Sequence, residues 1–318
     1  ISTILYIFAM FESNQKTLNK IINFVGTGLH SGKKVSINLK PAEADTGIIF
    51  KRIDVKINNE IKANYKNVSS TKLCTKIENE HGVSVSTIEH LMAALYICEV
   101  DNLIVEIDGE ETPIMDGSSI EFVEKIKKTG LRTLNKNRKF IKINKKIELK
   151  LHDKSISIEP SSDSLKVAFT LSYENSPLIK SQTNCVDFKN KNLENIYSAR
   201  TFCLYDDIEK VKSLGLAKGG NLDNAIVIKG DKVLNKTGLR SKNEFVNHKI
   251  LDLAGDFMLA GMRIIGSVSC MHGGHFLTNE FLKKILSNKD NFIITESLEN
   301  ISNLKKISSN QKRIAVNA

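Results

Sequence analysis

Lys34-Val35-Ser36-Ile37-Asn38-Leu39-Lys40, residues 34–40, alternates polar or charged side chains with branched apolar ones. Successive side chains of a strand point to opposite faces, so a period of two predicts a half-buried β-strand. The same alternation returns at Ile147-Glu148-Leu149-Lys150-Leu151 and at Leu165, Val167, Phe169 and Leu171. The run Leu103-Ile104-Val105-Glu106-Ile107 reads as a more buried strand. Helical spacing is scarcer. One helix is expected from near Thr87, carrying Leu91, Ala94 and Leu95 on one face, and a second over Ser119–Lys128, just before Gly130. A third is expected from about Glu244 through Leu259, with Gly261 as its stop. Strands and helices follow one another in mixed order rather than as a regular βαβ wheel. That order predicts an α+β class, two domains of layered sheets and helices with the active site between them.

A chain of 318 residues has room for about two domains. The polar, basic stretch Leu134-Asn135-Lys136-Asn137-Arg138 is the expected boundary, giving one α+β domain over 15–134 and another over 139–288. Residues 1–14 read as an extra N-terminal segment, for which a start at Met10 is the simpler account. Residues 289–318 read as a polar, loosely held tail.

Composition narrows the classes further. Hydrophobic residues at 41% and charged residues at 26% exclude a disordered or fibrous chain. No apolar stretch reaches the roughly 20 residues that span a bilayer. Five cysteines without a CxxC pair argue against a disulfide framework and a thiolate zinc cluster, and fit a reducing, cytoplasmic setting. The net charge of +10 comes from 46 basic residues of which seven are arginine, and tryptophan is absent. Nucleic-acid surfaces favour arginine with interleaved aromatics, so the charge reads as a lysine-rich composition that retains a weak attraction to anionic substrates. A non-catalytic basic protein that binds nucleic acid or phosphate on an α+β scaffold remains the competing reading.

Four short stretches carry residue types suited to chemistry. In the third helix, His248 and Asp252 are spaced i, i+4 and leave one face, with Asp256 one turn on. Such a pair can grip a divalent ion, or can be an ordinary surface His–Asp pair. At the entrance of the first helix, Ser86-Thr87-Ile88-Glu89-His90 sets a ligand beside a carboxylate that is free to act as a base. The plainer alternative is a helix start with a favourable acidic residue. Gly273-Gly274-His275 reads as a histidine in a glycine-rich turn after the apolar strand Ile264–Ser269, able to approach a substrate or simply exposed. In Ser198-Ala199-Arg200-Thr201-Phe202 the threonine hydroxyl can donate to a developing oxyanion or cap a turn.

Taken together and in order, the chain resembles one family, the zinc-dependent UDP-3-O-acyl-N-acetylglucosamine deacetylases of lipid A biosynthesis. The resemblance rests on Gly26-Thr27-Gly28-Leu29-His30-Ser31-Gly32-Lys33, Ser86-Thr87-Ile88-Glu89-His90-Leu91 and Pro113-Ile114-Met115-Asp116-Gly117-Ser118. It continues through Ala199-Arg200-Thr201-Phe202, His248-Lys249-Ile250-Leu251-Asp252 and Gly274-His275, and spans about Gln15 to beyond Asn279. It implies one zinc per chain, held by His90, His248 and Asp252 with a position left open. Glu89 would be the general base, and Thr201 would share the oxyanion charge with the metal. His275, kept charged by Asp256, would stabilise that charge or protonate the departing amine. Lys249 would reach substrate oxygens. The substrate would be a UDP-acyl amino sugar, handled by a monomer without nucleic acid and with at most peripheral membrane contact.

The family also threads the acyl chain through a second-domain insertion, here about 202–224. Its candidate lining is Phe202, Leu204, Ile208, Val211, Leu214 and Leu216, which equally suit the core of a small βαβ unit. Cys203 stands where many relatives have glycine, and Cys74 falls near the metal position, where a neutral buried thiol is expected.

Overall fold

The computed structural model describes residues 14–173 and 176–296. Residues 1–13 of the expected N-terminal segment and 297–318 of the expected tail lie outside the described residues. The strand that the 34–40 pattern predicts runs over Lys34–Pro41 and buries Val35, Ile37 and Leu39. It lies antiparallel between Ile22–Thr27 and Leu103–Ile107. Leu103–Ile107 pairs in parallel with Ile48–Arg52, and Glu60–Lys62 closes that edge of a five-stranded sheet.

A second, seven-stranded sheet is organised around Arg263–Met271. One side of this strand takes Lys154–Glu159, which forms a hairpin with Ile147–Leu151. Its other side runs parallel first to Phe140–Ile143 and then to Leu165–Tyr173, and Lys180–Asp187 continues beyond the latter. Both sheets are thus mostly antiparallel with parallel pairs inside, an α+β arrangement as expected.

Among the described residues, six α-helices join these layers: α1 (Glu89–Ile97), α2 (Ile120–Thr129), α3 (Glu194–Tyr197), α4 (Ile208–Ser213), α5 (Glu244–Met258) and α6 (His275–Leu286). Helix α2 shows the ordinary surface pattern, with Phe122, Val123 and Ile126 inward and Gly130 ending it at φ +77°. Helices α1 and α5 are different. Every residue from Glu89 to Tyr96 is buried, and α5 buries all its residues but Lys249. Helix α5 packs on Leu165–Tyr173 and Lys180–Asp187 with one side and on α1 with another, inside one continuous apolar core.

At Gly255 the two helices touch through their backbones. A Cβ there would collide with the Glu89 carbonyl oxygen and lie 3.1 Å from the Ala93 nitrogen. Only a residue without a side chain lets α5 approach α1 this closely. The polar residues of these helices are therefore held in the core, where each needs a partner.

Three details differ from the sequence reading. The polar, basic stretch Leu134–Arg138 carries regular structure: Leu131–Asn137 is a strand paired antiparallel with Asn14–Leu18, and Leu134 is buried. Arg138 follows it into the core and donates twice to Asp101, at 2.8 and 2.7 Å. The polar tail also begins with structure, because Phe292–Thr295 is a strand antiparallel to Phe140–Ile143. Its aromatic and β-branched run explains the pairing. Finally, His275 opens helix α6 rather than sitting in a loop, with Gly274 extended at the cap. No helix among the described residues is long and apolar enough to cross a membrane.

Candidate active site and metal centre

A pocket opens where the start of α1 meets α5. It is lined by Glu89, His90, Thr201, His248, Lys249, Asp252 and His275, together with Leu29, His30, Leu73, Thr87 and Ile114. Seven of the residues singled out from sequence thus converge, although they come from four separate segments.

The start of α1 is set by Thr87. This residue adopts φ +56°, an uncommon conformation for a β-branched side chain, so the helix begins two residues later than the spacing suggests. Its hydroxyl donates to Glu111 Oε1 at 2.9 Å, and its carbonyl accepts from the Thr112 hydroxyl. Glu111 also accepts the N–H groups of His30 and Ser31 at 2.8 and 2.7 Å, tying the Gly28–Gly32 turn to the mouth of α1. The loop after α3, residues 198–201, is fixed to the start of α5 by a buried ion pair. Arg200 Nε donates to Glu244 Oε1 at 2.8 Å and Nη2 to Oε2 at 3.1 Å, and Glu244 is fully buried. Thr201 is then pinned through its N–H to the Gly117 carbonyl at 2.7 Å.

His90, His248 and Asp252 each offer a ligand atom, and these atoms lie within 4.8 Å of one another. Asp252 Oδ1 is 3.6 Å from His90 Nε2 and 3.3 Å from His248 Nε2. The His248 Nδ1–H donates to the Ala199 carbonyl at 3.0 Å, which turns the Nε2 lone pair toward Asp252. Burial, reinforced by His90 and Lys249 against the pull of Asp252, lowers His248 to about 3, so its imidazole is neutral and fit to ligate. Burial alone would raise the Asp252 carboxyl, but His248 and Lys249 hold it well below the usual carboxylate range.

One oxygen of that carboxylate, Oδ2, accepts from Lys249 Nζ at 2.9 Å. The other, Oδ1, is buried and has no hydrogen-bond donor among the described residues. A buried anionic oxygen without a donor, flanked by two imidazole nitrogens, is satisfied by a cation. A His₂Asp set is a three-ligand donor set of the kind that suits a divalent ion with an open position. Cys74 is not part of the group: burial and then Glu89 push its thiol up to about 12, so it is neutral.

Beside this centre stands a carboxylate–imidazole pair. His275 Nδ1 lies 2.8 Å from Asp256 Oδ2, and its Nε2 lies 3.7 Å from Glu89 Oε1. Burial would lower His275, yet Asp256 and Glu89 outweigh it and raise it to about 10. The same burial raises Glu89, partly offset by His275 and His90. Asp256→Asn removes the strongest of the raising carboxylates. The expected result is that the alkaline limb of the kcat/KM profile moves to lower pH, because the histidinium then loses its proton earlier. A pH–rate comparison with the unmodified protein checks it, and an unmoved limb would contradict the assignment.

Lys249 is the half-buried member of α5, its Nζ 5.6 Å from the centre of the Phe202 ring. Phe202 stands beside the pocket rather than among its lining residues, with its ring 5.0 Å from Phe245 and 6.3 Å from His248. The segment after it forms a βαβ unit, in which Phe202–Leu204 runs parallel to Ile226–Lys229 with α4 between them. No residue of α4 is buried, so Ile208 and Val211 are only partly covered.

Sequence reasoning passed over His30 and Thr75. His30 Nε2 is buried and has no hydrogen-bond partner among the described residues, and its Nδ1 accepts from the Ala217 N–H at 3.4 Å. Thr75 hydrogen-bonds both Glu89 and Asp256. Neither has a local pattern that announces it. His30 lies in a glycine-rich turn whose direction only the fold fixes, and the partners of Thr75 lie 14 and 181 positions away.

The chain is similar to known proteins over most of its length. The family model described as UDP-3-O-acyl N-acetylglycosamine deacetylase matches residues 15–287. A UDP-3-O-acyl-N-acetylglucosamine deacetylase of Geobacter sp. (strain M21) is 43% identical over 283 residues, covering 89% of this chain and 92% of that protein. One of Wigglesworthia glossinidia brevipalpis is 43% identical over 280 residues, 87% of this chain and 93% of its own length. A third, of Pseudoalteromonas translucida (strain TAC 125), is 40% identical over 275 residues, 86% and 90% respectively.

Proposed function

The chain belongs to the UDP-3-O-acyl N-acetylglycosamine deacetylase family, and from that premise we propose how its residues divide the work. It is a hydrolase that removes the N-acetyl group of UDP-3-O-acyl-N-acetylglucosamine, a step of lipid A biosynthesis. The family is one of metalloenzymes, and His90, His248 and Asp252 form a possible metal site. The ion they hold is zinc, one per chain. When bound, it supplies a Lewis acid that polarises the acetamide carbonyl and makes water more acidic.

Amide hydrolysis needs a base, a stabiliser of negative charge and a proton for the departing amine. Glu89 is the base. Its burial raises its proton affinity toward the working pH, and Oε1, the oxygen not bound to Thr75, takes the proton of the attacking water. His275 remains protonated at neutral pH through Asp256 and Glu89, so it offers a positive charge to the tetrahedral intermediate and a proton to the amine. Thr201, on its pinned loop, donates its hydroxyl to the developing oxyanion. Lys249 meets substrate oxygens at the pocket edge, and Phe202 with the partly covered face of α4 flanks the acyl chain. The protein acts as a cytoplasmic monomer on this small molecule, without nucleic acid.

The observation that carries this reading is the buried Asp252 Oδ1, without a donor among the described residues, between the Nε2 atoms of His90 and His248, with Glu89 beside them. The test is release of acetate from UDP-3-O-acyl-N-acetylglucosamine by the purified, metal-loaded chain. Absence of turnover in protein that carries one equivalent of metal would refute it. Two basic residues near the site are paired with carboxylates, Lys249 with Asp252 and Arg200 with Glu244.

A further inference from the structure

Thr75 lies in a short irregular segment before the strand Lys76–Glu78, only 2% exposed, and each of its polar atoms is used. Its N–H donates to Glu89 Oε2 at 3.0 Å. Its hydroxyl donates to Asp256 Oδ1 at 2.7 Å. Its carbonyl accepts the Ile88 N–H, at 3.4 Å, just ahead of α1. Each carboxylate therefore gives one oxygen to Thr75 and turns the other to His275, at 3.7 Å for Glu89 Oε1 and 2.8 Å for Asp256 Oδ2. Glu89, Thr75, Asp256 and His275 close a ring of four residues drawn from α1, the 75 segment, α5 and α6.

The terminal torsions of Glu and Asp are broad, so a carboxylate held at neither oxygen does not keep its reacting oxygen in one place. An anchor on one oxygen aims the other. Here a single residue anchors both carboxylates, and with them the distance between the base and the imidazolium. We infer that Thr75 is a positioning residue of the deacetylation, which fixes the Glu89 carboxylate and the His275–Asp256 pair relative to one another. The inference rests on the roles proposed above for Glu89 and His275.

The experiment compares Thr75→Val, Thr75→Ser and Glu89→Gln as full-length, metal-loaded protein. Valine keeps the shape and the N–H bond to Glu89 and removes only the hydroxyl that holds Asp256. Displacing catalytic groups by about an ångström costs on the order of 10²-fold in rate, so a loss of roughly tenfold to a hundredfold in kcat is expected for Thr75→Val. KM, metal content and the thermal midpoint stay near those of the unmodified protein, and Thr75→Ser recovers most of the rate. The downfield proton resonance of the His275–Asp256 hydrogen bond shifts in the valine variant and not in the serine variant.

An unchanged kcat in Thr75→Val overturns the inference. So does an equal loss in the serine and valine variants, or a kcat loss matched by lost metal or lost folded protein, which would make the residue structural only. If the valine variant does not fold, Thr75→Ala carries the same expectation. Failure of the underlying reading looks different: Glu89→Gln would then stay active. An inactive Glu89→Gln beside a fully active Thr75→Val rejects the inference alone.

Discussion

Glu89→Gln is expected to lower deacetylation by about a hundredfold or more while leaving the metal content unchanged, as for the loss of a general base. The amide is close in shape to the carboxylate and can still accept the Thr75 N–H, which in the structure goes to Oε2 at 3.0 Å. What it cannot do is take a proton from water. It also removes one of the carboxylates that raise His275, so the histidinium is weakened at the same time. Both effects act on the chemical step, and the fall belongs to kcat rather than KM. Steady-state kinetics beside metal analysis measures this. A variant with normal kcat would remove Glu89 from the reaction, and one that has lost its metal would make it a ligand instead of a base.

His248→Ala is expected to have the larger effect, abolishing both tight metal binding and measurable turnover. The substitution removes one of three ligand atoms that lie within 4.8 Å, and it leaves Asp252 Oδ1 with one imidazole nitrogen, His90 Nε2, at 3.6 Å. Metal analysis after exhaustive dialysis provides the measurement. The expected content is well below one equivalent, against one for the unmodified chain. Retention of a full equivalent would mean that the ion sits elsewhere.

Much of this was readable in the sequence, and the parts that were not share a cause. The strand at 34–40 and the i, i+4 pair at 248 and 252 are local patterns with periods that the backbone enforces, and both are found as expected. The meeting of His90 with His248 depends on the packing of α1 on α5, two helices that are buried all round and so lack the one-sided stripe that reveals a packing face. Their family resemblance supplied what periodicity did not. The strand over Leu131–Asn137 was hidden for a similar reason. Its partner Asn14–Leu18 is more than a hundred positions away, and the apolar signal in a basic run rests on Leu131 and Leu134. Two glycines before His275 suggested a turn, whereas the extended Gly274 is the cap from which α6 starts. Thr75 had no signal at all, since a lone threonine says nothing about two carboxylates on separate helices.

Gly255 contributes no functional group, yet the gauge of the whole centre is recorded there. Because backbone meets backbone at that point, the spacing between the ligand-bearing helix and the base-bearing one is not something neighbouring side chains can retune. A homologous chain that kept every reactive residue and carried a bulkier one at this position would have the parts list of the enzyme without its dimensions.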